Sequence, residues 1–150
     1  MKLPIKIIMI LCISIIFLSF NRKNEGETYS LTVKVENLHN SKGVVQFSLY
    51  NKEGTIPDEK FKKYYKQKTE KIIHNTSTVT FFDLPKGKYA VNILHDEDEN
   101  GSIKKGFILP KEGIGFSNYN SIGLSNRPKF SKSSFLLDSD MEISVKIIYM

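Results

Sequence analysis

Short runs in which apolar and polar residues alternate recur along this chain, and that period of two most constrains its fold. In TYSLTVKVE (28–36), Tyr29, Leu31, Val33 and Val35 fall on one face. In GVVQFSLYN, Val45, Phe47 and Leu49 do the same, and STVTFF adds Val79 and Phe81. Tyr89, Val91 and Ile93 alternate in the next run, and Ile143, Val145, Ile147 and Tyr149 in the last. A period of two places alternate side chains on opposite faces of a strand. With further strands over Glu70–His74 and Lys129–Leu137, about seven short strands are expected and no βαβ pattern. That is an all-β chain, an antiparallel immunoglobulin-like or transthyretin-like β-sandwich. The first two runs read as a hairpin with a loop of about six residues.

One segment breaks the period. GTIPDEKFKKYYKQKTEK (54–71) has Pro57 at a helix N1 position, acidic residues next, and Phe61, Tyr64 and Tyr65 on one helical face. Six lysines fill much of the rest. A short surface helix capping the sandwich is expected, with a basic aromatic patch for an acidic glycan or lipid head group as the alternative.

The first 20 residues stand apart. Lys2 and Lys6 are their only charges, and Ile7 to Phe20 is apolar apart from two serines. A positive start and an apolar run of this length read as a signal peptide. The run is short for a membrane span, and no small-x-small pattern precedes Asn21, so retention as an N-terminal anchor stays open beside cleavage near 19–21. Both readings export the domain, to the periplasm, the outer surface or the medium. Residues 21–27 form a polar linker, and 28–150 form one domain.

Cys12, the only cysteine, lies inside the apolar run, so the mature domain has neither a disulfide nor a thiol nucleophile. The leader carries two of the +6 net charges. What remains is mild and unclustered, which argues against a nucleic-acid partner.

Two motifs follow the central strands. Leu84, Pro85 and Gly87 make a tight turn, and Tyr89 sits where a tyrosine corner would return its hydroxyl to the turn backbone. Then HDEDENGSIKKGFILPKEGIGF (95–116) opens a long irregular region, 95–128. A loop of that length is often functional. Asp96, Asp98 and Asn100 at alternate positions, with Gly101 and Ile103, match the first half of a calcium loop, and Ser102 would add its carbonyl. The twelfth position is Phe107, where a bidentate Glu belongs, and Lys104 occupies the ninth, so an EF-hand is excluded. The stretch reads first as a solvated Asx-rich turn. A looser Ca2+ site completed by Glu112 or a carbonyl is the alternative.

His95 beside Asp96 and Glu97 has the look of a general base or zinc ligand. No second His stands at metal spacing, and Gly115-Phe116-Ser117-Asn118 lacks the closing glycine of a nucleophile elbow. A structural role for His95, bonding across the long loop, is preferred to a hydrolytic one. Gly113 and Gly115 are read as turn formers that fold the loop over the sandwich end, with Phe116 plugging the core.

Asp83-Leu84-Pro85 with Gly87 and Tyr89-Ala90-Val91, His95-Asp96-Glu97, Asn100-Gly101, Pro110-Lys111-Glu112-Gly113 and Gly115-Phe116-Ser117-Asn118, in this order, carry a resemblance over roughly residues 29–149. The chain resembles the bacterial domain-of-unknown-function family numbered 2141. Arg127-Pro128-Lys129-Phe130 and the Phe135 strand fit more weakly. The resemblance implies an exported single-domain β-sandwich and carries no catalytic residues. The family reads close to NGKLD after the acidic run, and Lys104 stands here in place of the Asp, which weakens a metal site using that position.

The expected role is therefore a non-enzymatic binding or accessory module of the cell envelope, its partner an envelope protein, a glycan or a peptide. The 95–128 loop and its neighbouring turns would be the recognition surface. A calcium-stabilised carbohydrate- or peptide-binding domain is the alternative, and a hydrolase using His95 comes third.

Overall fold

The structure is a computed structural model and describes residues 26–103 and 112–150. The leader, most of the linker, Lys104, Phe107 and Pro110 lie outside the described residues. Among the described residues no helix is long and apolar enough to cross a membrane.

The described residues form eight strands in order: β1 Thr28–Val35, β2 Val44–Tyr50, β3 Lys66–Lys71, β4 Ser77–Pro85, β5 Gly87–Asp96, β6 Gly113–Phe116, β7 Phe135–Leu137 and β8 Met141–Ser144. One short helix, α1, Phe130–Ser133, precedes β7. The strands form two sheets. The first has the order β4-β1-β8, and the second β3-β2-β5-β6, with β7 paired to β5. The chain is a β-sandwich, as its alternating pattern predicts.

Between the sheets, Leu31, Val33, Val35, Val79 and Phe81 of the first face Val45, Phe47, Leu49, Val91 and Ile93 of the second. Each is an alternate residue of its strand, so the period of two places all of them in one dry layer. Burying such side chains stabilises by about 1.5–3 kcal/mol each.

The connections differ from expectation. β1 and β2 do not form a hairpin. β1 pairs with β4 and with β8, and β2 with β3 and β5, so the link between them crosses from sheet to sheet. A hairpin would have put two apolar faces side by side with nothing opposite. The crossing sets them face to face. The β1–β8 pairing is parallel, an exception in an otherwise antiparallel arrangement.

The predicted helix over 54–71 does not form. Asp58, buried, accepts Lys63 N–H at 2.6 Å and the Tyr50 hydroxyl at 3.2 Å. These tertiary anchors hold 54–65 as irregular turns. A short helix is marginal alone, so they decide the outcome. Phe61 is buried while Tyr64 and Tyr65 stay exposed, which splits the supposed helical face.

Lys66–Lys71 is instead strand β3. Lys66 and Lys68 donate across the opening of the sandwich to Phe82 O (2.8 Å) and Thr80 O (2.7 Å) of β4. They occupy carbonyls that an open strand edge would otherwise offer to a partner. The predicted strand 129–137 is half helix, because Ser133 N–H and Ser134 N–H turn back onto Lys129 O and Phe130 O.

The β4–β5 corner matches its local pattern. Lys86 alone joins the strands, and Tyr89 OH donates to Pro85 O at 2.8 Å. The long region 95–128 is not wholly irregular, since β6 lies inside it and pairs with β5.

β2 and β5 are buried on both faces rather than half-buried. A second cluster covers the outer face of their sheet. Tyr50, Ala90, Leu94 and Phe116 of the sheet meet Ile56, Phe61 and Tyr119 from the irregular segments and Phe130 of α1.

Candidate functional site

The end of β5 sorts two chemistries by alternation. Consecutive residues of a strand point to opposite faces. His95 follows Val91 and Ile93 to the inner face, and Asp96 goes to the outer one.

His95 is fully buried, with Nδ1 2.7 Å from the Tyr149 hydroxyl and Nε2 3.0 Å from Lys42 O. A carbonyl only accepts, so Nε2 carries the hydrogen. Nδ1 of the neutral ring then accepts from Tyr149 O–H. Tyr149 also accepts His39 N–H at 3.2 Å. Burial pushes the Tyr149 phenol up, against a lowering by the His39 amide, which keeps its proton available to His95. Both ring nitrogens are therefore engaged. They tie the β1–β2 connection to the C-terminal segment, not across the 95–128 region.

That segment passes close to β6. A β-carbon on Gly115 would stand 2.5 Å from Lys146 O, and one on Gly113 2.5 Å from the Tyr149 ring. Ile114 exchanges backbone hydrogen bonds with Ile148 at 2.8 and 3.1 Å. Gly113 and Gly115 thus admit a neighbouring chain in a strand, where turn formers are expected from sequence. Phe116 is buried under the outer face, away from the dry layer between the sheets. Ser117 donates to Ser133 O at 2.7 Å and accepts Val91 N–H at 2.9 Å, while Asn118 donates to Ser134 O at 3.1 Å. These two residues fasten the end of β6 to α1.

On the outer face, Val44 pairs with Asp96 and Gln46 with Leu94. His95 pairs with Gly113, so one further step of the same register sets Glu112 beside Asp96. One carboxylate oxygen each from Asp96, Asp98 and Glu112 lies within 4.8 Å of the other two. Asp96 (2% exposed) and Glu112 (4%) are buried, while Asp98 is exposed.

Asp96 accepts Asn100 N–H at 3.1 Å and Gly101 N–H at 2.7 Å, and Gly101 adopts φ 71° to close the turn. Asn100 donates to Asp98 and accepts from Ser102 N–H (2.8 Å) and Ser102 Oγ (2.6 Å). Asn100 and Ser102 therefore brace the turn, and Glu112 joins the two aspartates. Gln46 is 6% exposed, and its Oε1 lies 3.9 Å from where a Gly101 β-carbon would be. Its Nε2 is buried without a hydrogen-bond partner, which ordinarily costs about 1–3 kcal/mol.

A groove of about 710 Å3 opens beside the C-terminal segment. Asn37, His39, Asn118, Tyr119, Asn120 and Tyr149 line much of it. The His39 and Tyr149 rings stack at 3.5 Å between centroids, 13° apart. His39, Tyr149 and Gln46 escape a reading of the sequence because their partners lie more than 50 residues away. The alternation that puts Tyr149 in register with Val145 and Ile147 is the one local hint.

The family model described as "Uncharacterized protein conserved in bacteria (DUF2141)" matches residues 33–144. No curated protein and no solved structure matches the chain.

Proposed function

We propose, on the premise that this chain belongs to the DUF2141 family, that it is an exported, non-enzymatic binding module of the cell envelope whose ligand is a glycan. The charged and apolar start of the chain supports export. The groove of about 710 Å3 carries the ligand reading. It combines a flat aromatic pair, His39 on Tyr149, with the amides of Asn37 and Asn120. An aromatic face takes the apolar side of a sugar ring, and amides both donate to and accept from its hydroxyls. Pockets with a few placed polar groups and aromatic walls are the usual form of a small-ligand site. The engagement of both His95 nitrogens favours support of this wall over proton transfer.

The test is calorimetric titration of the protein with envelope-derived oligosaccharides and with peptides. Saturable glycan binding, weakened about tenfold or more in His39→Ala, is expected; that factor corresponds to about 1.4 kcal/mol. Binding of peptides alone, or glycan binding equal in the variant, would remove the reading.

A further inference from the structure

We propose that Asp96, Asp98 and Glu112, with the side-chain carbonyl of Gln46, form a calcium-class divalent-cation site at the outer end of the second sheet. The acidic grouping alone would not carry this, because such groups often brace turns without an ion. The independent observation is Gln46. It sits on β2, far from the loop in sequence, and it is buried. Gln46 and Asp96 lie on the same face of adjacent strands, separated diagonally by the Val44–Asp96 and Gln46–Leu94 pairs. The amide ends against Gly101, the residue whose N–H is bonded to Asp96. Its oxygen is on the loop side, and its Nε2 finds no acceptor. A cation gives the amide a place in the site, since Oε1 would ligate it while Nε2, turned away from the ion, would donate to a water outside the metal's own shell.

The donor set selects the ion. All four side chains offer oxygen. The nearest imidazole, His95, faces the other side of the sheet with both nitrogens engaged. Oxygen donors suit hard cations and give zinc or copper no soft ligand. Calcium–oxygen bonds of about 2.3–2.6 Å span roughly 4.6–5.2 Å across the ion, and magnesium spans about 4.0–4.2 Å. Carboxylate oxygens within 4.8 Å of one another can share one ion, and magnesium, which demands near-ideal octahedral geometry and gives up its water reluctantly, suits this loop-and-strand cage less well than calcium. Backbone hydrogen bonds to Asp96 leave each of its oxygens a further lone pair. Of the two buried acids Asp96 ends β5 and Glu112 immediately precedes β6, so the ion would clamp the two ends of the 96–112 excursion. The site is independent of the glycan groove.

Thermal unfolding of the whole protein tests it, without any glycan, after chelation and then with added Ca2+ or Mg2+. Calcium well above its dissociation constant is expected to raise the midpoint by several degrees, with magnesium giving much less. Asp98→Ala should keep the chelated midpoint, since Asp98 is exposed, and lose most of the calcium shift. Gln46→Met, similar in volume, should weaken the shift as well. Direct Ca2+ titration by calorimetry should show the same order. No calcium shift in the natural chain, an equal shift with magnesium, or a full shift in Asp98→Ala would overturn the proposal.

Discussion

The two faces of the β3-β2-β5-β6 sheet are built on different principles. The inner face is dry: Val45, Phe47, Leu49, Val91 and Ile93 meet a second sheet of the same character. The outer face mixes Gln46, Ser48, Asn92 and Asp96 with Tyr50, Ala90 and Leu94, and irregular segments cover it. Packing holds the inner face except at its end, where His95 bonds to Tyr149 and Lys42. The outer one needs partners for its polar groups, and its position is set by single hydrogen bonds such as those of Asp58 and Ser117. The difference teaches that a sheet buried on both sides can gather its polar groups on one side and most of its apolar packing on the other.

The largest expected effect lies on the dry face. Phe47→Ala should cost about 3–5 kcal/mol in denaturant unfolding. A loss well under 2 kcal/mol would mean that the dry face is not the main source of stability. Ser117→Ala, on the segment that closes over the outer face, should cost about 1–3 kcal/mol, because it removes the side-chain partner of Val91 N–H and leaves Ser133 O only the longer bond from Asn118 Nδ2 at 3.3 Å. Tyr89→Phe should cost about 1 kcal/mol, the net value of one hydrogen bond at the corner, with the fold unchanged by circular dichroism.

The smallest effect is confined to alkaline solution. Burial first, then the charge and hydrogen bond of Asp58, push the Tyr50 phenol up. The unfolded chain releases that proton near pH 10 while the folded one keeps it. Stability from this group is therefore full below about pH 10 and falls as pH rises above it. Tyr50→Phe should flatten that fall in unfolding scans between about pH 9 and 12; an unchanged slope would show that Tyr50 is not the group responsible.

Legibility in the sequence followed distance along the chain. The Tyr89 corner was readable because donor and acceptor lie four residues apart. The turn of Asp96, Asp98, Asn100 and Gly101 was readable for the same reason, and its aspartates do gather. Glu112 entered only as one of two ways to complete a shell, since the register between β5 and β6 brings it in. Gln46 carried no signal and Tyr149 only its alternation with Val145 and Ile147, because strand pairing and the path of the C-terminal segment place them. The helix predicted over 54–71 failed for the converse reason. Its periodic aromatics were a local pattern, and Asp58 under Tyr50 outweighed it.

By itself the sequence determined the all-β class, the set of residues in the dry layer and the tight corner. Each follows from the period of two or from contacts within a few residues. Tertiary structure alone decided that β1 and β2 lie in opposite sheets, that one pairing is parallel, and that β6 lies within the long region. It also decided that neighbours in sequence, His95 and Asp96, serve opposite faces. The physical reason is that alternation states which residues share a face but not which strand comes to lie beside another. That choice is made when apolar faces find each other and remote polar groups find partners.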